Sequence, residues 1–258
     1  YYPEGLNKAD WLSFYAREFN ALELNSSFYG IPTAFSLERM AAKTPAGFLF
    51  TLKANQDMTH KREDNDAVFV QFVAALRPLL EQGKFGCVLA QFPSSFHSTP
   101  ENRDYLAQFR QRMGDLAVVI ELRNRDWLSE DTFAFLRQQR LGFCCVDEPR
   151  FSSLMPPIAV ATSDVAYVRF HGRNAKKWWH HKEAWERYDY TYTPEELQEW
   201  MPKLHDLAGR SERMFVFANN HYRGQAIDTA RQLKLMLPAV WRPPDGPRGV
   251  WASGGAAG

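Results

Sequence analysis

Short apolar runs alternate with amphipathic stretches along most of the chain, and the two kinds of segment carry different periods. Runs over 20–25, 48–54, 86–92, 117–123, 143–147, 166–171 and 214–219 have the length and β-branched or aromatic content of buried strands. Between them, Val68, Phe69, Phe72, Val73, Leu76, Leu79 and Leu80 form one apolar stripe at helical spacing, and Phe133, Phe135 and Leu136 begin another behind a Ser129 cap. Thr193, Pro194 and Glu196 carry a helix start: a cap hydroxyl, proline at the first helical position and a carboxylate at the third. A helix over 8–19, capped by Asn7, opens the chain.

Strand followed by helix, repeated without a hairpin signal, is the pattern of a parallel sheet with helical crossovers. A doubly wound sheet and a closed barrel both satisfy it. The TIM-type (β/α) barrel is preferred because no glycine-rich phosphate turn follows an early strand and because polar residues end nearly every strand. Seven strands are readable and the chain opens on a helix, so this reading expects the first strand of the barrel to be absent from the sequence. It assigns 1–237 to a single barrel domain and 238–258, rich in Pro and Gly and without periodicity, to a loose tail.

Alternation along each strand predicts which side chains face the barrel interior. Leu22 and Leu24 on the helix side turn Glu23 and Asn25 inward, and Phe50 and Leu52 turn Thr51 and Lys53 inward. The same rule assigns Leu89 and Gln91, Val119, Glu121 and Arg123, Cys145 and Asp147, Arg169 and His171, and Phe215, Phe217 and Asn219 to the lumen. The polar members sit at the carboxyl ends, where barrel enzymes build their sites.

Composition adds limits. The 258 residues suit one barrel, and 45% hydrophobic content supplies a core. Lys plus Arg (31) nearly cancels Asp plus Glu (30), which does not advertise a polyanionic partner. Cys87, Cys144 and Cys145 lie in apolar runs, as reduced core thiols of a cytoplasmic protein do. No apolar run reaches the length of a membrane span.

The segments 19–29 (FNALELNSSFY), 167–173 (YVRFHGR), 187–192 (RYDYTY) and 218–221 (ANNH), with Tyr2-Pro3, 11–15, 50–60, 91–96 and 121–127, resemble the YecE-like family, the seventy-second domain of unknown function. The likeness spans nearly the whole chain. It implies a TIM-type barrel and a cytoplasmic bacterial protein, and it carries no catalytic assignment, because the family has no settled activity. Family members carry a short strand before the Tyr-Pro element, which fits the expected absence of the first strand. Asp228-Thr229-Ala230 departs from the Asn-Ala pair common there.

Candidate chemistry follows from the lumen assignments. Lys53, Arg123, Arg169 and Arg173 place four cations near the mouth and point to a small anionic ligand, a phosphorylated or acidic sugar-like compound. Glu121, Asp147 and His171 are the candidate proton-transfer groups of a hydrolase, lyase or isomerase. Glu23, Asn25, His60, Gln91, Asn219, Asn220 and His221 are the remaining candidate substrate contacts. A structural salt-bridge network of the same residues is the plain alternative. No redox cofactor is expected, since no nucleotide fingerprint appears; a divalent metal held by Glu23, Glu121, Asp147 and His171 is a further alternative. The loop over 172–192 mixes Trp178, Trp179, Trp185, Tyr188 and Tyr190 with Arg and Lys, so it reads as a lid on the mouth or, less well, as a surface for single-stranded nucleic acid, and a non-catalytic protein binding nucleic acid or a metabolite with this loop and rim is the alternative to an enzyme.

Overall fold

A computed structural model describes residues 1–220 and 224–237. The expected tail over 238–258 and the candidate contact His221 lie outside the described residues. Seven strands are present: β1 (Ala21–Leu24), β2 (Leu49–Lys53), β3 (Phe85–Gln91), β4 (Val118–Glu121), β5 (Gly142–Asp147), β6 (Val165–Phe170) and β7 (Arg213–Ala218). All six pairings between sequential strands are parallel. The intervening helices are α1 (Trp11–Tyr15), α2 (Ala34–Ala42), α3 (Asp66–Ala75), α4 (Arg77–Glu81), α5 (Pro100–Met113), α6 (Glu130–Gln138), α7 (Ala175–Trp178), α8 (Pro194–Gln198), α9 (Met201–Gly209) and α10 (Gln225–Met236). No helix among them is long and apolar enough to cross a membrane.

Local signals account for most boundaries. Asn7 accepts from the Ala9 amide, Ser129 from that of Thr132, and Thr193 and Glu196 complete the capping box of α8. The single stripe read over 68–80 is instead two helices. Pro78 at the start of α4 has no N–H to bond back to the preceding turn, so the helix breaks at Leu76 and resumes. The opening helix is likewise shorter than its pattern, a 3₁₀ turn Lys8–Asp10 followed by α1.

The seven strands curl into a nearly closed barrel. Side chains from strands far apart in the order meet inside it: the Tyr167 hydroxyl of β6 donates to Glu23 of β1 at 2.6 Å and lies 3.0 Å from the Thr51 hydroxyl of β2. Below them Tyr167, Phe215 and Phe217 pack ring against ring, with centroids 5.2 to 6.1 Å apart. Among the described residues β1 and β7 are not hydrogen-bonded to each other. Outside, Arg231 of α10 forms a two-pronged ion pair with Glu18, just past α1, and Lys234 donates to the Glu18 carbonyl, joining the first and last helices across that seam.

The pairing register tests the lumen assignments directly, because paired residues share a face. Glu23 with Thr51, Lys53 with Leu89, Gln91 with Glu121, and Arg169 with Phe217 all match the expected interior. β5 does not. Cys144 pairs with Tyr167, Val146 with Arg169, and Asp147 with Phe170, so Cys144 and Val146 face inward while Cys145 and Asp147 face the helices. The run Phe143-Cys144-Cys145-Val146 is apolar throughout and offers no alternation to read, and the charge of Asp147 is a misleading anchor for its phase.

Gly86 of β3 marks how tightly the interior is filled. A Cβ there would sit 2.7 Å from Phe215 Cζ and 3.1 Å from the Phe50 carbonyl oxygen. Replacement by Ala must displace a ring locked between Tyr167 and Phe217, an overpacking cost of about 1–3 kcal/mol. Urea unfolding of Gly86→Ala is therefore expected to show a lowered midpoint at unchanged slope; an unchanged midpoint would contradict this packing.

Candidate functional site

The carboxyl ends of the strands open into a cavity of about 650 Å³. Lys53 ends β2 and Gln91 ends β3; Arg123 follows β4, Arg169 comes from β6 and Asn219 follows β7. Asn25, just after β1, and His60 complete the group, so seven of the residues expected from the sequence to contact substrate share one wall. Its other lining includes Ser26, Phe28, Tyr29, Ser94 and Tyr188, which parity along the strands could not reach because they lie in the loops. Phe28 and Tyr29 do stand in the ELNSSFY segment, and Tyr188 in RYDYTY.

Beneath the cavity floor lies a buried charge cluster. The Arg169 guanidinium donates from Nη2 to Glu23 Oε1 at 2.7 Å and from Nη1 to Glu121 Oε2 at 2.6 Å, bridging β1 and β4 through the interior. All three residues are at most 2% exposed. Glu23 also accepts from Tyr167 and from the Asn25 amide, and Glu121 Oε1 accepts from Arg123 Nε at 3.1 Å. Burial alone would raise the Glu121 carboxyl, but the charges of Arg169 and Arg123 outweigh it and hold it well below the usual carboxylate range. Glu23 and Glu121 are therefore behind Arg169 and do not line the cavity.

His171 is fully buried beside this cluster. Its Nε2 lies 3.3 Å from Glu121 Oε1 without an aligned hydrogen bond, and its Nδ1 lies 3.1 Å from the Asn219 amide nitrogen. A donor at Nδ1 selects the tautomer with its proton on Nε2, turned toward Glu121. Burial, reinforced by Arg169 and Arg123 and opposed by Glu121, pushes the imidazole down to about 4, so it is neutral near pH 7.

Lys53 is the cavity cation without a carboxylate. Among the described residues no Asp or Glu lies within ion-pair distance of its ammonium, which sits 4.4 Å from the centre of the Phe28 ring. Burial first, then Arg169 and Arg123, pushes it down to about 8, against the weaker pull of Glu121 and Glu23. His60 meets the same aromatic ring edge to face, with ring centroids 4.9 Å apart. It rides on a π-helical turn, Asp57–Lys61, closed by Arg62 in the left-handed conformation (φ 63°). Desolvation, with Lys53 the next cause, pushes it down to about 4.

Three expected site residues are elsewhere. Asp147, on the outer face of β5, is saturated by Arg173 at 2.8 Å on each oxygen, the Tyr192 hydroxyl and the Trp200 indole N–H, both at 2.7 Å. Arg173 is committed to that cluster and to Glu199, because the turn at Gly172 (φ 90°) throws it out of the strand phase. Asn220 is buried against the Tyr190 carbonyl and Thr229, where it ties β7 to α10. The corrected phase of β5 instead gives the inward position to the neighbouring Glu148, which sequence reading passed over. It interacts with Arg123 and Glu121, and burial pushes its carboxyl up to about 7.

The expected metal set does not fit this geometry. Asp147 is on the wrong face, and the Arg169 guanidinium occupies the space between Glu23 and Glu121. No group of three or more His, Cys, Asp or Glu side chains among the described residues is placed to hold an ion. The aromatic, basic loop is anchored at a few points: Trp178 is buried under Arg187, Lys177 pairs with Glu186, and Asn174 holds the carbonyls of Glu186 and Asp189, while Trp179 and Trp185 are exposed. Through Tyr188 the loop reaches the cavity wall.

Comparison with known proteins agrees with the family resemblance. The family model described as "Protein of unknown function DUF72" matches residues 1–248. The UPF0759 protein YunF of Bacillus subtilis (strain 168) is 33% identical over 252 residues, spanning 92% of this chain and 89% of that protein. A crystal structure of a DUF72 family protein from Thermotoga maritima is 36% identical and superposes with a TM-score of 0.83, covering 91% of this chain and 92% of that one. One from Enterococcus faecalis is 26% identical with a TM-score of 0.81, covering 91% of each chain.

Two outcomes are expected. Arg169→Met leaves two carboxylates buried and uncompensated, a loss of about 3–5 kcal/mol by chemical denaturation; a loss below about 1 kcal/mol would contradict the bridge. For His171 the folded state binds fewer protons than the unfolded chain between its two proton affinities, so its contribution is complete above the ordinary value of 6.5 and is lost as pH falls toward about 4. The stability difference between the parent and His171→Asn should therefore shrink by about 3 kcal/mol across that window, and a pH-independent difference would contradict a neutral buried imidazole.

Proposed function

The chain belongs to DUF72, a family of proteins of unknown function, and we propose that it is an enzyme acting on a small anion, a phosphorylated or acidic sugar-like compound, at the carboxyl face of the barrel. The observation that carries this reading is the charge left over in the cavity. Glu23 and Glu121 match Arg169 and Arg123, and Lys53 remains as a desolvated cation facing open space. Such a group gains from an anion that replaces lost water. Arg123 carries further N–H donors beyond the two nitrogens that contact Glu121. Asn25, Gln91 and Asn219 line the same wall with amides suited to hydroxyls, and Phe28, Tyr29 and Tyr188 offer aromatic faces.

The chemistry suits the hydrolase, lyase or isomerase class: Lys53 and His60, both lining the cavity, are lowered to about 8 and about 4, and the buried Glu148 that interacts with Arg123 is raised to about 7, a spread that serves proton exchange. The fold reading goes with it: among the described residues β1 and β7 are not hydrogen-bonded to each other, which leaves a place between them for one more strand of a TIM-type barrel. The burial of Trp178 and the reach of Tyr188 to the cavity wall favour a rim or lid over a surface for nucleic acid.

Thermal unfolding against phosphate, sulfate, sugar phosphates, sugar acids, neutral sugars and oligonucleotides tests the reading. At saturating ligand a sugar phosphate or sugar acid is expected to stabilise by about 2–3 kcal/mol, or several degrees in Tm. Lys53→Met should abolish the shift while keeping the fold. Arg169 is the wrong residue for this purpose, since its loss undermines the barrel itself. Stabilisation by neutral sugars or oligonucleotides alone would overturn the proposal.

A further inference from the structure

We propose that Lys53 is a nucleophilic amine that condenses with the carbonyl group of a small anionic aldehyde or ketone, forming an imine in the cavity. This deepens the preceding proposal and rests on it, since the anion is what draws the carbonyl compound to Lys53.

Geometry separates Lys53 from an ordinary binding lysine. It ends β2 with its side chain directed into the lumen, in register with Leu89 of β3. A lysine placed for structure alone would be expected to close on an acidic partner, yet the two nearby carboxylates are already claimed by Arg169 and Arg123. Those guanidiniums press positive charge on the amine from the cavity floor, and the Phe28 ring covers one side of it. Desolvation beside fixed cations is the environment in which a lysine amine becomes free to attack a carbonyl near neutral pH. The same Arg123 that disfavours the protonated amine has a further N–H group to offer the anionic part of the incoming molecule.

Imine formation also needs a group that moves protons, and His60 meets that need. It lines the same cavity against the same Phe28 ring. The Thr59 hydroxyl lies 3.0 Å from His60 Nδ1 and 3.4 Å from the Asn55 carbonyl oxygen; the proposed step uses the tautomer in which Nδ1–H donates to that hydroxyl and Nε2 carries the lone pair. In the first step the Lys53 nitrogen bonds to the carbonyl carbon while the carbonyl π bond opens onto oxygen. That oxygen receives a proton and the nitrogen loses one, by way of His60 Nε2, giving a carbinolamine. In the second step the C–O bond breaks, the second nitrogen proton leaves with the oxygen as water, and a C=N bond forms. The balance is amine plus carbonyl giving imine plus water, with no oxidant or reductant. The electron-poor imine carbon then favours bond-making or bond-breaking at the adjacent carbon, which fits the lyase or isomerase branch of the proposed function.

The experiment incubates the whole protein with glyoxylate or glycolaldehyde phosphate and sodium cyanoborohydride, with neutral glycolaldehyde as the comparison, followed by intact mass and peptide mapping. Lys53 should be reductively alkylated by the anionic probes about tenfold or more faster than any exposed lysine at pH 7, saturably, and with competition by inorganic phosphate. The site should vanish in Lys53→Arg, which keeps the cation. His60→Gln should lower the maximal rate of labelling at Lys53 under saturating glyoxylate more than it raises the half-saturating concentration, a split that a His60 serving only structure or binding would not produce. Labelling spread over lysines by exposure, with Lys53 unmodified, would overturn the imine. If phosphate still stabilises both the parent and Lys53→Arg in that event, the anion site stands and the amine chemistry alone falls; if no anion stabilises either protein, both proposals fall. Should Lys53→Arg fail to fold, the parent protein decides by itself: labelling of Lys53 rising to a plateau through about pH 8 supports the proposal, and labelling that tracks the exposed lysines up to high pH overturns it.

Discussion

One guanidinium, that of Arg169, holds carboxylates from opposite sides of the barrel, and much of the rest of the site follows from where that leaves the neighbouring charges. Glu23 and Glu121 belong to strands separated in sequence order by two others, and among the described residues the first and last strands do not close the sheet by hydrogen bonds. Two short charge-assisted bonds through the lumen, with the Tyr167 hydroxyl beside them, tie β6 to β1 and β4 from inside. A buried ion triad of this kind is expensive to assemble and more expensive to break singly. It therefore fixes the interior rather than simply adding stability.

That commitment divides the cations into two kinds. Arg169 and Arg173, attractive as ligand-binding groups in the sequence, are spent on Glu23, Glu121 and Asp147, one inside the barrel and the other outside it. Lys53, with carboxylates nearby but none in reach, is left to face the cavity, and His60 and Asn219 stand around the same space. The order of importance among the charged residues is thus nearly the reverse of what their number near the mouth suggests. Structural demand and functional availability are separated by a few ångströms.

The architecture was legible because apolar runs in a parallel sheet are recognisable by length and by the helices between them. Each of the seven strands overlaps a run read from sequence, with β3, β5, β6 and β7 beginning one residue earlier, and parity places Glu23, Lys53, Gln91, Glu121 and Arg169 on the correct face. Parity failed where its premise failed. Phe143 to Val146 contains no polar residue to set the phase, so Asp147 was read in place of Glu148; past β6, the left-handed turn at Gly172 ends the strand alternation before Arg173. Which charges neutralise which was not legible at all. Pairing of Arg169 with Glu23 spans 146 residues of sequence and depends on side-chain reach across the lumen, which no local pattern encodes.

The commitments of its neighbours leave Lys53 desolvated and, among the described residues, without a carboxylate partner. Its ammonium titration, followed by NMR on lysine-labelled protein with the resonance assigned through Lys53→Arg, measures this most directly. The account predicts a midpoint near 8, well apart from the exposed lysines. Titration together with those lysines, at about 10.4, would show the amine to be solvated or paired and would contradict it.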